Sequence, residues 1–135
     1  MHDDPTELEV LVEVARFGWV KRREDGRIDF ASPLPCPFNY GSVPGTRAPD
    51  GDREDALLLG PHCPIGTLHR APVLGRVRFL DAGLADDKWI CGRMRAGDRL
   101  QLELFFRVYA RAKRLLNRWR GLGGPTRYDG LELRS

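Results

Sequence analysis

Apolar and polar residues alternate from Leu8 to Val14, with Leu8, Val10, Val12 and Val14 on one face. A period of two residues is typical of a strand with one buried face. The basic run Lys21-Arg-Arg-Glu-Asp-Gly26 then predicts a turn, since Asp-Gly is a common hairpin dipeptide, before a short strand at Arg27 to Phe30. The chain is therefore expected to open with strands and a hairpin.

The segment from Ser32 to Asp50 is rich in proline and glycine and shows no clear periodicity, so we expect little regular structure in it. A loop of that length inside a compact domain is more often functional than idle. Beyond it, short strand-like runs are separated by Gly, Pro or Asp residues, at Ala56–Leu59, Leu68–Val73, Gly75–Leu80 and Lys88–Cys91. Many short strands close together predict a small barrel.

One strong helical pattern lies between Leu100 and Trp119. Its apolar residues recur every three or four positions, at Leu102, Phe105, Phe106, Tyr109, Ala112 and Leu116. This stripe predicts a helix packed on the barrel. A second stripe, Arg107, Arg111, Arg114 and Arg118, is expected to face solvent, with nucleic-acid binding as a minority interpretation. We predict a barrel domain with its helix over residues 1–120 and a loosely ordered tail over 121–135.

The 135 residues are enough for one domain with a real core, and the net charge of +3 is weak evidence for a nucleic-acid partner. Cys36, Cys63 and Cys91 are widely spaced and have no C-x-x-C pattern, which argues against a zinc site or a disulfide scaffold. The acidic N-terminus does not look like a signal peptide, and no apolar run reaches membrane-spanning length. We expect a cytoplasmic protein with no membrane partner.

Acidic residues gather in two places beside strand-like runs: Asp50, Asp52 and Asp55, and then Asp81 and Asp86. The first set is not a calcium EF-hand loop, because the glycine that such a loop needs at position six is Asp55 here. If neighbouring strands bring both sets together, the carboxylates repel unless a divalent cation lies between them. All-oxygen ligation favours magnesium or manganese, which often share oxygens with a phosphate.

These residues resemble a known family. The chain reads Pro37-Phe-Asn39-Tyr40-Gly41, then Thr46, Asp50-Gly-Asp52 with Asp55, and finally Asp81, Asp86 and Lys88. This order is similar to the motif of the soluble inorganic pyrophosphatases of the magnesium-dependent, single-domain type, which runs P-x-N-Y-G, T, D-G-D-P-x-D and D…D-x-K. The resemblance spans roughly Glu9 to Tyr109, and the ordered combination is far more specific than any single piece.

The resemblance implies an OB-like five-stranded barrel, mainly β with a packed C-terminal helix, that hydrolyses diphosphate to two orthophosphates with Mg2+ as cofactor and Mn2+ as the alternative ion. Its implied metal ligands are Asp50, Asp55, Asp81 and Asp86, with Glu13 reaching the metals through water. Asp52 corresponds to the residue that accepts a proton from the attacking water. Phosphate oxygens are expected to contact Lys21, Tyr40, Lys88 and Tyr109. Diphosphate is the expected small-molecule partner, and homo-oligomer formation is left open.

The chain departs from the family pattern at three places. Arg53 and Glu54 replace a proline and an apolar residue, and Glu54 is expected either to face solvent or to join the metals. Anion-binding side chains of the family are missing or moved at Asp29, Arg23 and Ala110. Arg111 or Lys113 could replace the lysine expected at Ala110, although a shift of one residue turns a helical side chain by about 100°.

Several residues have plainer interpretations. Asp50-Gly51 could simply make a turn. Tyr40 could brace its loop, Tyr109 could belong to the packed core, and Lys21 could be solvated within its basic run. Three functions therefore stay open: a hydrolase of diphosphate or of another phosphoanhydride; a pyrophosphatase-like module that binds metal and phosphate but turns over poorly; and a nucleic-acid-binding barrel that uses the arginine stripe.

Overall fold

The computed structural model describes residues 4–14, 20–22, 28–31 and 36–134, with 20–22 and 28–31 described by their backbone alone. Within these ranges the chain forms nine strands and one helix: β1 Glu7–Val14, β2 Val20–Arg22, β3 Ile28–Ala31, β4 Asn39–Val43, β5 Glu54–Leu59, β6 Leu68–Asp81, β7 Leu84–Ala85, β8 Lys88–Gly92, α1 Asp98–Trp119 and β9 Arg127–Leu133.

Five strands close into a ring in the order β1-β4-β5-β8-β6, and β6 pairs back with β1. Neighbouring strands are antiparallel except β5 and β8, which run parallel. Closure of the ring leaves no unpaired edge among these strands. The mainly β, OB-like five-stranded barrel with a packed helix is therefore confirmed.

Alternation along the strands divides the apolar side chains between two clusters. One cluster receives residues from all five ring strands and includes Val10, Val12, Val43, Ala56, Leu58, Val73 and Cys91. The opposite faces of β5, β6 and β8 supply the second cluster, which packs against Leu102, Phe106 and Tyr109 of α1. The ring thus has a core of its own, and the helix covers a second apolar layer outside it.

The prediction for β1 is confirmed, since Val10, Val12 and Val14 are all buried. The two strands predicted at Leu68–Val73 and Gly75–Leu80 are one continuous strand, β6, whose register against β8 shifts between Val73 and Gly75. Gly75 allows β9 to cross closely there, because a Cβ atom at this position would collide with the Glu132 carbonyl oxygen. The turn predicted over residues 21–26 lies partly outside the described residues, and Arg27 lies wholly outside them.

Two expectations are wrong. The segment from Ser32 to Asp50 contains β4, which pairs with both β1 and β5, where little regular structure is expected from the sequence. The tail after Gly121 is not loosely held throughout, because residues 127–133 form β9 and pair with β6. Both strands are short and contain glycine, so their pairing with distant partners decides their conformation more than local propensity does.

The helix begins two residues before the predicted start and ends at Trp119 as predicted. Its C-terminal half differs from the expected apolar stripe, because Ala112 and Leu116 are only half-buried, whereas Lys113 and Asn117 are buried. The predicted arginine stripe is exposed along the helix. Within the described residues, no helix is long and apolar enough to cross a membrane.

Candidate active site

A buried lysine lies at the centre of the polar residues on the helix-facing side of the ring. The Lys88 side chain is only 1% exposed. Its Nζ donates to Asp55 Oδ2 at 3.1 Å, to Asp86 Oδ2 at 2.9 Å and to the Asp86 carbonyl oxygen at 3.1 Å. An ammonium group has three hydrogens, so these three acceptors occupy all of its donors.

The parallel pairing of β5 with β8 creates this arrangement. Asp55 lies directly opposite Lys88 in the register, near the start of both strands. Opposite residues project to the same face of a sheet, and that face is the one that α1 covers. Asp86 comes two residues before Lys88, at the entry to β8. The first acidic set and the second are thus joined through one lysine.

Burial governs the electrostatics of the cluster. Burial raises the pKa of Asp86 from 3.8 to about 6, and although Lys88 opposes the shift, the Asp55 charge adds to it. Burial alone would lower the pKa of Lys88, but its acidic neighbours, among them Asp55 and Asp86, raise that pKa well above the ordinary value. Lys88 is therefore a firmly protonated cation between two carboxylates, and the carboxylates retain excess negative charge.

Two tyrosines border this cluster. The Lys88 Nζ lies 5.9 Å from the centre of the Tyr40 ring. Burial raises the pKa of both Tyr40 and Tyr109, and the charges of Asp55 and Asp86 add to the shift for each. Tyr109 also packs in the aromatic core, with its ring centroid 5.6 Å from that of Phe79. It thus belongs to the core and also lies beside the charged cluster.

Asp81 is held by the C-terminal half of α1. Asn117 Nδ2 donates to its Oδ1 at 2.7 Å, and Lys113 Nζ lies 3.6 Å from its Oδ2. The Asp81 charge also contributes to the raised pKa values of Asp86 and Tyr109. Asp81 therefore lies on the same side of the molecule as Asp86, at the rim formed by the β6–β7 turn.

Sequence reasoning misses Asn117 and gives no preference between Arg111 and Lys113. Arg111 is exposed, whereas Lys113 is buried and pairs with Asp81. The signal is present in the spacing, because Lys113 and Asn117 follow Tyr109 at successive intervals of four residues and therefore share its face. In the C-terminal half of α1, buried polar residues therefore continue the face that is apolar in its first half.

Asp50 and Asp52 lie outside this cluster, in the exposed turn before β5. Asp50 Oδ1 accepts from the Asp52 backbone N–H at 3.0 Å, as expected of an Asx turn. The loop is closed at its base by Thr46, whose Oγ1 donates to the Val43 carbonyl at 2.6 Å and accepts from the Glu54 N–H at 3.0 Å. Thr46 therefore links the end of β4 to the start of β5, the two ends of the loop that carries Asp50 and Asp52.

The other motif residues occupy defined places. Asn39 is fully buried and braces the loop after β5, donating to the Leu58 and Pro61 carbonyl oxygens and accepting from the Cys63 N–H. Glu54 accepts from the Trp89 indole at 3.4 Å, on the face of the sheet opposite Asp55, so it does not join the acidic cluster.

Two further predicted site residues lie on the first strands. Glu13 is half-buried in β1, where the register against β4 shifts between Val12 and Val14. Such a bulge re-aims the side chain of the extra residue. Lys21 lies in β2, and its side chain is outside what the structure describes, as are those of Arg23 and Asp29.

The donor set suits a divalent cation in its chemistry. Asp55 and Asp86 supply carboxylate oxygens around a single positive charge, and the raised pKa of Asp86 means that extra positive charge would be favourable. Oxygen donors of this kind suit magnesium or manganese. In the described part of the chain, no group of three or more His, Cys, Asp or Glu side chains is placed to hold a metal ion. Magnesium usually keeps several waters and is bound through one or two carboxylates, so Asp55 and Asp86 fit it without a third protein ligand.

The chain is similar to several curated proteins that are named inorganic pyrophosphatases. An inorganic pyrophosphatase of Gluconobacter oxydans is 35% identical over 98 residues, covering 66% of this chain and 56% of the relative. One from serogroup A Neisseria meningitidis is 41% identical over 79 residues, covering 56% of this chain and 45% of the relative. The chain therefore spans about half the length of the curated relatives it matches.

Solved structures agree on the fold. The Thermus thermophilus inorganic pyrophosphatase superposes with a TM-score of 0.76 at 23% identity, covering 98% of this chain and 85% of that one. An inorganic pyrophosphatase of Coxiella burnetii gives a TM-score of 0.63 at 29% identity, covering 95% and 86%. Residues 10–121 also match the model of one protein family, described as inorganic pyrophosphatase. By its sequence, its barrel and the order of its acidic motifs, this chain belongs to the inorganic pyrophosphatase family.

Proposed function

We propose that this chain hydrolyses inorganic diphosphate to two orthophosphates with magnesium as its cofactor. The observation that carries the proposal is the meeting of Asp55, Asp86 and Lys88 beside Tyr40 and Tyr109 on one face of the ring. Carboxylates at such a site attract a dication, while the lysine and the two phenols can donate to phosphate oxygens.

Asp55 and Asp86 would hold the cation, with Asp50, Asp81 and, through water, Glu13 completing its surroundings. When bound, the cation polarises phosphoryl oxygens and lowers the pKa of water. Asp52, exposed in the turn, would accept a proton from the attacking water, the role that its place in the family motif implies.

Lys88 can contact a phosphate oxygen only by releasing one of its present acceptors, because Asp55 and Asp86 occupy all three hydrogens. We infer that Lys88 would be free to donate to the substrate once Asp55 and Asp86 held a cation. Cation binding would thus precede productive substrate binding. Tyr40, Tyr109 and Lys21 would complete the phosphate contacts, and Lys113 is the candidate substitute for the family's anion-binding lysine, whose position is Ala110 here.

The test is phosphate release from diphosphate with magnesium, with manganese, and with a chelator control. Asp55→Ala and Asp52→Asn should each abolish most of the activity, whereas Glu54→Gln is a matched control because that side chain lies on the opposite face of β5. If Asp52→Asn or Asp55→Ala released phosphate at the wild-type rate, the proposed active site would be wrong.

A second candidate function follows from the positions of Asp50 and Asp52. The hydrogen bond between them stays within their own loop, and no complete metal-ligand cluster is present among the described residues. With Asp55 and Asp86 together but the proposed proton acceptor Asp52 outside their cluster, the arrangement suits a module that binds metal and phosphate but turns over poorly. Calorimetry separates the two functions: tight binding of magnesium and diphosphate without phosphate release at any divalent ion would favour the binding module.

A further inference from the structure

Ser42 has a buried hydroxyl group that the contacts of the fold do not explain. It is 1% exposed, and among the described residues its Oγ has no hydrogen-bond partner. A buried hydroxyl loses its bonds to water, so an unmade hydrogen bond at this position destabilises the fold. An alanine would fill almost the same space without that penalty.

The strand register shows where this hydroxyl points. In the β4–β5 pair, Ser42 lies directly opposite Asp55, so both side chains project to the same face with Cβ atoms about 5 Å apart. Tyr40, two residues earlier on β4, shares that face and lies near Lys88. On the other side of β4, Leu11 pairs with Ser42. The Ser42 side chain therefore lies next to that of Asp55 at the edge of the site.

We propose that the Ser42 hydroxyl hydrogen-bonds a water molecule of a hydrated divalent cation attracted by Asp55. This inference rests on the proposed function. Magnesium gives up its waters reluctantly and is usually bound with several of them in place, so groups that hold those waters contribute to its affinity. A buried water needs at least two polar partners, and Ser42 together with Asp55 supplies them.

A serine hydroxyl suits this position because it can rotate. It can donate to the carboxylate or to a phosphate oxygen, and it can accept from a water polarised by a cation. Ser42 thus acts as a positioning residue for the hydrated ion, not as a ligand of the metal.

The experiment measures magnesium binding by calorimetry and thermal unfolding with and without magnesium, using the full chain. Ser42→Ala is expected to weaken magnesium binding about three- to tenfold, the effect of one hydrogen bond. Its melting temperature in a chelator should equal or exceed that of the wild type, because an unmade hydrogen bond is removed. Ser42→Thr restores a hydroxyl and should regain most of the affinity.

Thr67→Ala is the matched control, since it removes a hydroxyl that bonds to the Pro64 carbonyl, away from Asp55. Ser42→Cys provides a second variant that fills the space if Ser42→Ala folds poorly. If the wild type binds magnesium and Ser42→Ala binds it within about twofold of the same affinity, the role of Ser42 is refuted and the proposed function stands. If the wild type binds no magnesium and releases no phosphate, both fall together.

Discussion

Replacing Lys88 by methionine is the most informative perturbation of the site. The side chain is 1% exposed and bridges the Asp55 and Asp86 carboxylates, whose side chains are only 17% and 19% exposed. Methionine keeps much of the volume but leaves two partly buried carboxylates without their cation. Removing one partner of a buried ion pair costs about 3–5 kcal/mol, out of a typical total stability of about 5–15 kcal/mol.

The assay is urea denaturation at pH 7.5 in a chelator, followed by the intrinsic tryptophan fluorescence. Arg70→Met is the control, because its ion pair with Glu7 is largely exposed and its loss should cost less than about 1 kcal/mol. Adding Asp86→Asn to Lys88→Met should recover part of the stability, since it removes one of the stranded charges. If Lys88→Met were destabilised by less than about 1 kcal/mol, the lysine would not be the counter-charge of this cluster.

Three further predictions concern other parts of the fold. Gly41→Ala should destabilise the protein by more than about 2 kcal/mol in urea denaturation, because its Cβ would collide with the Leu11 carbonyl oxygen; a smaller effect would contradict the close β1–β4 approach. Asn117→Ala should speed amide exchange in β9, since it removes a hydrogen bond to Thr126 Oγ1 just before this strand, and unchanged exchange would argue against that anchor. At pH 8, iodoacetamide should label half-buried Cys63 before Cys36, whose pKa burial raises to about 11; equal labelling by mass spectrometry would contradict the burial of Cys36.

Local patterns predict those elements whose burial is regular. β1 alternates strictly, β8 carries the Lys88 end of the D-x-K motif, and α1 has a clear apolar stripe over its first half. β4 and β9 escape such a prediction because glycine and proline dominate their local signal, while their stability comes from pairing with strands far away in the sequence. Neither pairing can be predicted from a short stretch of sequence.

In the candidate site, too, some features can be predicted from the sequence and others depend on the fold. The order of the acidic motifs suggests that Asp55 and Asp86 meet, and the parallel β5–β8 pair brings both carboxylates onto Lys88. The Asp81 contacts with Lys113 and Asn117 depend on where the second half of the helix lies, which periodicity does not give. The bond within the Asp50–Asp52 turn is local, and the sequence alone therefore offers the turn as an alternative.

Lys88 and Lys113 are both buried, and they suggest how a cluster of carboxylates can fold without a metal. Converging carboxylates would repel in a metal-free chain, yet Lys88 serves Asp55 and Asp86, and Lys113 serves Asp81. Each ammonium carries one charge, and under the proposed function a dication, with two, would compete for the same oxygens. Under the proposed function, a lysine released in this way would stay beside the site as a donor for an anion. In the folded chain the two lysines compensate the charge of these carboxylates, and under the proposed function the same side chains would recognise the substrate at a later stage.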